Sequence, residues 1–209
     1  MPLRNRVTPF GTLERDPARG LVYGNRGCMH DAHGQIRRPY GVRRWIACRL
    51  EYRGWHREPL MQPGRFTELF FLDEATAFAA GHRPCRMCRY DDYTAFVEAW
   101  SSLHPGEPTD ADAIDGVLHA ERWDTATRRQ RHHDAPWRSL PEGSFVERDH
   151  AAWLVLRGHL RRWTHAGYTD TRPRPSHGEA AVITPPSLVA FLRTDREPQV
   201  PFLHPSAQV

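Results

Sequence analysis

Two cysteines separated by two residues, Cys85 and Cys88, carry the clearest chemical signature in this sequence. The Cys-x-x-Cys spacing lets two thiolates bind one metal ion while backbone N–H groups of the turn support the sulfurs. A redox pair is the alternative, but a redox Cys-x-x-Cys normally follows a strand and opens a helix. Here the motif follows a predicted helix and a glycine stop, so the sequence favours a structural zinc site.

A structural zinc ion takes four ligands in a tetrahedron, so two further ligands are expected upstream of the motif. The upstream candidates are Cys28, His30 and Cys48. Cys48 lies in residues 43–54, where side chains alternate with a period of two, as in a half-buried strand. The set predicted to face inward is Ile46, Cys48, Leu50 and Tyr52. A small buried side chain without a metal is the alternative role for Cys48.

The elements around the motif have clear start and stop signals. Residues 67–72, TELFFL, predict a buried strand, and Asp73 is a suitable N-cap for a short helix over residues 74–80. Gly81 is a natural stop for that helix, and Pro84 sets the turn that leads into the cysteines. These signals place the first thiolate directly after a helix and a tight turn.

The segment FFLDEATAFAAGHRPCRMC resembles the N-terminal zinc-binding domain of the Ada DNA-repair protein, and the Ada-like zinc modules fused to bacterial nucleases. The resemblance covers about residues 24–89 and is strongest over residues 70–88. The residues that match are Gly24, Asn25, His30, Cys48, Glu74, Ala75, Gly81, Arg83, Pro84, Cys85 and Cys88. It implies a Zn²⁺ site formed by His30, Cys48, Cys85 and Cys88, with Cys28 as the alternative ligand. In Ada a zinc-bound cysteine accepts a methyl group from DNA, but here we expect a structural or binding role.

The charge distribution favours an anionic partner. All 29 basic residues counted as lysine or arginine are arginines, and residues 1–57 hold 12 of them against four acidic residues, a net +8. Nucleic acid, DNA in particular, is the commonest partner of such a surface. The predicted contacts are Arg26, Arg37, Arg38, Arg43, Arg44, Arg83, Arg86 and Arg89, with Tyr40, Trp45 and Trp55 available to stack on bases. The alternative is a solvated basic face whose arginines cover tryptophans of the core.

A second group of polar residues could serve acid–base catalysis or a second metal. Its members are His119, Glu121, Asp124, His132, His133 and Asp134. They make a DNA- or nucleotide-processing enzyme the competing function, and a zinc protein that binds another protein is a third. A solvated helix that ends in a polar loop is the structural alternative for this segment.

The remaining pattern predicts an α+β protein in three regions. An Ada-like zinc-binding region over residues 1–104 contains short strands and a helix over 89–104. A helical connector over 105–139 contains a helix over 111–133, and a β-rich region with a short helix at 185–194 occupies 140–209. The aromatic residues of the WTHAGY turn are expected in its core. No apolar run approaches the length of a membrane span, so a cytoplasmic protein is expected.

Overall fold

Two six-stranded sheets form the framework of the computed structural model, which describes residues 1–55, 58–194 and 200–208. The first sheet has the strand order β2-β1-β5-β3-β4-β6 and belongs to the first half of the chain. Its strands are β1 (Arg4–Val7), β2 (Leu13–Arg15), β3 (Val22–Asn25), β4 (Ile46–Arg49), β5 (Leu69–Phe71) and β6 (Arg83–Pro84). Pairing is parallel between β1 and β5 and between β4 and β6, and antiparallel elsewhere in this sheet.

The second sheet is antiparallel and has the order β13-β12-β11-β10-β14-β9. Its strands are β9 (His133–Pro136), β10 (Phe145–Arg148), β11 (Ala151–Leu156), β12 (His159–Thr164), β13 (Gly167–Pro173) and β14 (Glu179–Val182). A separate hairpin joins β7 (Trp123–Asp124) to β8 (Arg129–Gln130). The α+β class and the β-rich character of the C-terminal part are therefore confirmed.

Helix α1 (Glu74–Ala79) lies between the two sheets, and every one of its residues is buried. Asp73 caps it as predicted, because its Oδ1 accepts from the backbone N–H of Thr76 at 2.9 Å. On one side α1 packs with Leu72 in a cluster that contains Phe145, Leu154 and Ile183 of the second sheet. On the other side it packs against the first sheet, so α1 belongs to the cores of both.

Gly81 ends α1 as predicted, with a φ of +80° that favours glycine. A Cβ at this position would also lie 2.4 Å from Cδ of Arg122. Gly81 therefore satisfies two demands at once, a left-handed backbone and a close approach by α3 (Ala111–Arg122).

Three further helices form a second apolar layer. They are α2 (Tyr90–Leu103), α3, and α4 (Pro186–Leu192). Phe78 of α1 joins Phe96, Ile114 and Phe191 of these helices in one buried cluster. The 14 residues of α2 make it the longest helix of the described part of the chain, and no helix there has the length and apolarity to cross a membrane.

Two sequence predictions about element ends were wrong. The helix predicted over residues 111–133 ends at Arg122, because Trp123 adopts an extended conformation (φ −131°, ψ 128°) and begins the β7–β8 hairpin. Leu50, predicted to face inward, is 38 % exposed because β4 ends at Arg49. Residues 105–139, predicted to be a helical connector, also contain β9 of the second sheet.

Candidate metal centre

Three cysteines from two separate parts of the first sheet come together in a buried group. Cys48 lies on β4, and Cys85 and Cys88 lie in the turn between β6 and α2. Their three Sγ atoms all lie within 4.8 Å of one another, and each residue is at most 8 % exposed. A tetrahedral zinc–thiolate site with bonds of about 2.3 Å places its sulfurs roughly 3.8 Å apart. The group therefore holds three sulfurs at a spacing that a metal ion can bridge.

Backbone hydrogen bonds support this arrangement. Parallel pairing of β4 with β6 places the N–H of Cys85 2.9 Å from the carbonyl oxygen of Ala47, next to Cys48. The N–H of Arg49 donates to Sγ of Cys88 at 3.4 Å. N–H groups of Met87 and Cys88 donate to the sulfur of Cys85, which is the turn geometry expected of a Cys-x-x-Cys metal ligand pair.

The thiols are strongly coupled electrostatically. Hydrogen bonds from Cys48 and Cys88 lower the pKa of Cys85 to about 2, and the bond to Cys85 raises the pKa of Cys48. The S–H groups of the two neighbours thus favour the thiolate form of Cys85. A divalent cation would take the place of those protons and hold all three sulfurs as thiolates.

The surroundings of the three sulfurs are apolar. Tyr23 packs into the cysteine group from β3, and Ile46, Tyr52 and Phe70 pack around it. No described cysteine forms a disulfide. A buried group of free thiols with apolar surroundings is typical of a structural metal site.

The structure does not bring His30 or Cys28 into the group. His30 is buried, but its Nδ1 lies 2.6 Å from Oγ1 of Thr67 and its Nε2 lies 3.1 Å from the carbonyl oxygen of Gln62. Sγ of Cys28 lies 3.6 Å from the carbonyl oxygen of His30. The described residues therefore supply three of the four predicted ligands at the cysteine group, and both ring nitrogens of His30 have other partners.

Three of the arginines predicted to contact nucleic acid are buried. Arg83 makes a bidentate ion pair with Asp115, at 3.0 and 2.7 Å. Arg89 pairs with Glu74 and with Asp92. Arg26 lies with its guanidinium carbon 4.0 Å from the ring centroid of the buried Trp45. These side chains hold the core together and are not available on the surface.

The other predicted arginines are exposed. Arg37 pairs with Asp31 at 2.6 Å, and Arg44 pairs with Asp112 at 2.7 Å. Three exposed arginines form no ion pair with a described residue: Arg38, Arg43 and Arg86. Of the aromatic residues predicted to stack on bases, Trp45 is in the core, Tyr40 is half-buried and Trp55 is 57 % exposed.

The catalytic candidates are dispersed. Glu121 accepts hydrogen bonds from Ser187 at the start of α4, and Asp124 accepts from the N–H of Ala126 in the β7–β8 turn. His133 and Asp134 pair with β14 as part of β9. In the described part of the chain, the cysteine group alone brings together three or more His, Cys, Asp or Glu ligand atoms. The histidines and carboxylates of this segment do not form a common site.

His119 is the most perturbed of these candidates, and we expect it to stay neutral at pH 6. Burial and the charges of Arg122 and Arg43 lower its pKa to about 4. Because its pKa is lower in the folded than in the unfolded state, its contribution to stability is lost as the pH falls from about 6.5 towards 4. Imidazole NMR signals should show a midpoint near pH 4 for His119. A midpoint near 6.5 would contradict its burial against Tyr40 and Trp45.

No family model, curated protein or solved structure matches this chain. The resemblance to the Ada zinc domain therefore rests on its motif residues alone and stays a prediction. What the structure adds independently of any relative is a buried group of three reduced cysteines, built by β4, β6 and the turn before α2.

Proposed function

We propose that this chain is a zinc protein in which a structural ion, held by Cys48, Cys85 and Cys88, shapes a basic surface that binds nucleic acid. The observation that carries the metal part is the approach of three buried Sγ atoms to within 4.8 Å. Soft thiolate ligands favour Zn²⁺ over the hard cations Mg²⁺ and Ca²⁺, which take oxygen. A structural role fits the burial of all three sulfurs.

The ion would join elements that are separate in sequence. Cys48 belongs to β4, the next-to-last strand of the first sheet, whereas Cys85 and Cys88 precede α2. Arg89, the residue after the motif, starts α2 and pairs with Glu74 of α1. Binding at the cysteines would therefore fix the positions of β4, α1 and α2 relative to one another.

Metal analysis of the purified full chain tests the first part. We expect about one zinc per chain by mass spectrometry of the dissolved metal. Replacement by Co²⁺ should give thiolate charge-transfer bands whose intensity counts the sulfurs. Spectra of Cys28→Ser and His30→Ala variants then show whether either residue completes the tetrahedron. Wild-type protein that is purified without chelators and holds no metal would contradict the proposal.

The nucleic-acid part rests on charge. The net charge of residues 1–57 is +8, and the exposed Arg38 and Arg43 of that stretch, like Arg86 beyond it, have no carboxylate partner among the described residues. Exposed guanidinium groups bind phosphates bidentately, and such binding weakens steeply with salt because counterions are released. A surface of this kind supports binding that depends on charge more than on base sequence.

An Arg43→Ser/Arg86→Ser variant is expected to bind labelled single- and double-stranded DNA about tenfold more weakly than wild type. The slope of log affinity against log salt should fall by roughly 1.4–1.8, since two phosphate contacts are lost. The matched control is Arg138→Ser/Arg148→Ser, which removes two exposed arginines of the second half. Equal binding by both variants, measured by fluorescence anisotropy, would refute the assignment of this surface. Wild-type affinity no better than that of an unrelated basic protein would refute nucleic-acid binding itself.

A further inference from the structure

An arginine-lined cavity of about 490 Å³ lies next to the β7–β8 hairpin. Its walls come from three stretches that are distant in sequence: the turn between β1 and β2, residues 36–39, and the hairpin. Six arginines line it: Arg4, Arg26, Arg37, Arg38, Arg128 and Arg129. No aspartate or glutamate is among its described lining residues. The cavity is therefore strongly cationic.

Arg26 is a buried, charged residue in the lining of this cavity. Its side chain is 1 % exposed, its Nη1 donates to the carbonyl oxygen of Gly11 at 2.9 Å, and its Nε donates to Nε2 of His82 at 3.2 Å. Its Nη2 is buried and has no hydrogen-bond partner. The described residues provide no carboxylate for Arg26, and burial, together with the charge of Arg122, lowers its pKa to about 9. A buried cation of this kind lacks a counter-charge.

Gln130 supplies an acceptor beside that donor. Its Nε2 is held by the carbonyl oxygens of Pro9, Ala79 and Ile183, at 2.7–3.3 Å. With the amide fixed in this way, Oε1 is buried, has no partner, and lies 2.4 Å from the point where a side chain on Gly11 would begin. Both orphaned atoms, one donor and one acceptor, belong to residues that line the cavity.

Flat rings complete the lining. Phe10 and His132 lie with ring centroids 5.9 Å apart, and Trp123 lines the cavity from the hairpin. A second cavity of about 300 Å³ shares Trp123, Arg38 and Arg128 with the first and adds Tyr40. Guanidinium groups recognise phosphate, and aromatic faces stack on bases, so the two kinds of lining residue together fit one ligand class.

We propose that this cavity binds a nucleoside phosphate, either as a free nucleotide or as one unit of a nucleic-acid strand. The phosphate meets the exposed arginines of the rim, Arg38, Arg128 and Arg129, and the base stacks against the aromatic lining. Arg26 contributes a buried positive charge behind them. This inference deepens the nucleic-acid part of the proposed function by naming the unit that is bound, and its test is separate.

Calorimetric titration of the full chain with adenosine, cytidine, guanosine and uridine monophosphates tests the ligand class. We expect saturable binding of at least one monophosphate, about tenfold or more tighter than binding of its nucleoside or of inorganic phosphate. Comparison of an oligonucleotide with and without a 5′-phosphate separates a free nucleotide site from a strand site. If no monophosphate binds, or if the nucleoside or phosphate alone binds equally well, the proposal fails.

An Arg128→Glu/Arg129→Glu variant tests the location. Both residues are exposed and lie in the hairpin, so the fold is expected to persist, and nucleotide affinity should fall tenfold or more. Arg138→Glu/Arg148→Glu is the control with the same change of charge. In the hairpin variant, the zinc content should equal that of wild type. Addition of Arg43→Ser/Arg86→Ser should weaken its binding of long DNA by the same factor as in wild type. The assignment would be overturned if the hairpin variant retained its nucleotide affinity, or if the control lost as much affinity as the hairpin variant.

Discussion

A Cys85→Ser variant is expected to lose its bound metal and to melt roughly 6–12 °C below wild type. Structural zinc contributes about 10 kcal/mol or more to small peptides that fold only around the ion. This chain has apolar cores of its own, so we expect a smaller loss of about 3 kcal/mol. Each kcal/mol shifts the melting temperature of a chain of this size by about 2–4 °C. Calorimetry of the metal-loaded proteins measures the difference.

Cys28→Ser is the matched control for this substitution, because Cys28 lies outside the group of three sulfurs. It should retain zinc and melt within about 2 °C of wild type. A chelator should lower the melting temperature of wild type and of Cys28→Ser, and leave that of Cys85→Ser unchanged. Equal loss of metal in both serine variants would mean that Cys28 is a ligand and that the chain rearranges when the ion binds.

An Asp73→Ala substitution is expected to destabilise the protein by about 4 kcal/mol or more. Its carboxylate caps α1 and also accepts from Oγ1 of Thr76, the hydroxyl of Tyr168 and the N–H of His204. Loss of a cap costs about 1 kcal/mol, and each buried donor left without an acceptor costs about 1–3 kcal/mol. Urea unfolding monitored by circular dichroism measures the sum.

Asp110→Ala provides a comparison that isolates capping. Asp110 caps α3 through the N–H groups of Asp112 and Ala113, and it is exposed to solvent. Its replacement should cost about 1 kcal/mol or less. Similar losses in the two variants would show that the contacts of Asp73 with Tyr168 and His204 contribute little, and that the two halves of the chain are joined mainly by apolar packing.

Local signals in the sequence predicted the elements nearest to the cysteine group. Asp73 and Gly81 delimit α1 because capping and a left-handed backbone depend on one residue each. The alternation around Cys48 placed its thiol correctly, since side-chain direction in a strand depends on register alone. Cys85 and Cys88 were then brought to it by the parallel pairing of β4 with β6.

The position of His30 could not be predicted from local signals in the sequence. Residues 26–45 follow a path set by contacts such as His30 with Thr67, which is 37 positions away, and no periodicity encodes such a contact. Arg26 was assigned to the surface because arginine is usually exposed. Its burial depends on Trp45, which lies between Arg26 and Arg122 with guanidinium carbons 4.0 and 4.2 Å from its ring. That arrangement brings together three segments that are distant from one another in the sequence.

The end of α3 was missed for a related reason. Residues 117–133 contain no glycine or proline, so the sequence provides no stop signal there. In the structure Arg122 enters the core and donates to the carbonyl oxygen of Gly81, after which the chain turns into β7. The arginine-lined cavity could not be predicted either, because its walls depend on where that hairpin meets residues 36–39.

Helix α1 has a consequence for how this protein can be divided. Its six residues are buried because the first sheet covers one side and the second sheet covers the other, and the hydroxyl of Tyr168 and the indole N–H of Trp163 reach it from the second sheet. A fragment that stops near residue 104 would keep the cysteines but leave half of α1 bare. Transfer of the part that bears the three cysteines into an unrelated chain would therefore need a new apolar cover, so this part is not a portable module.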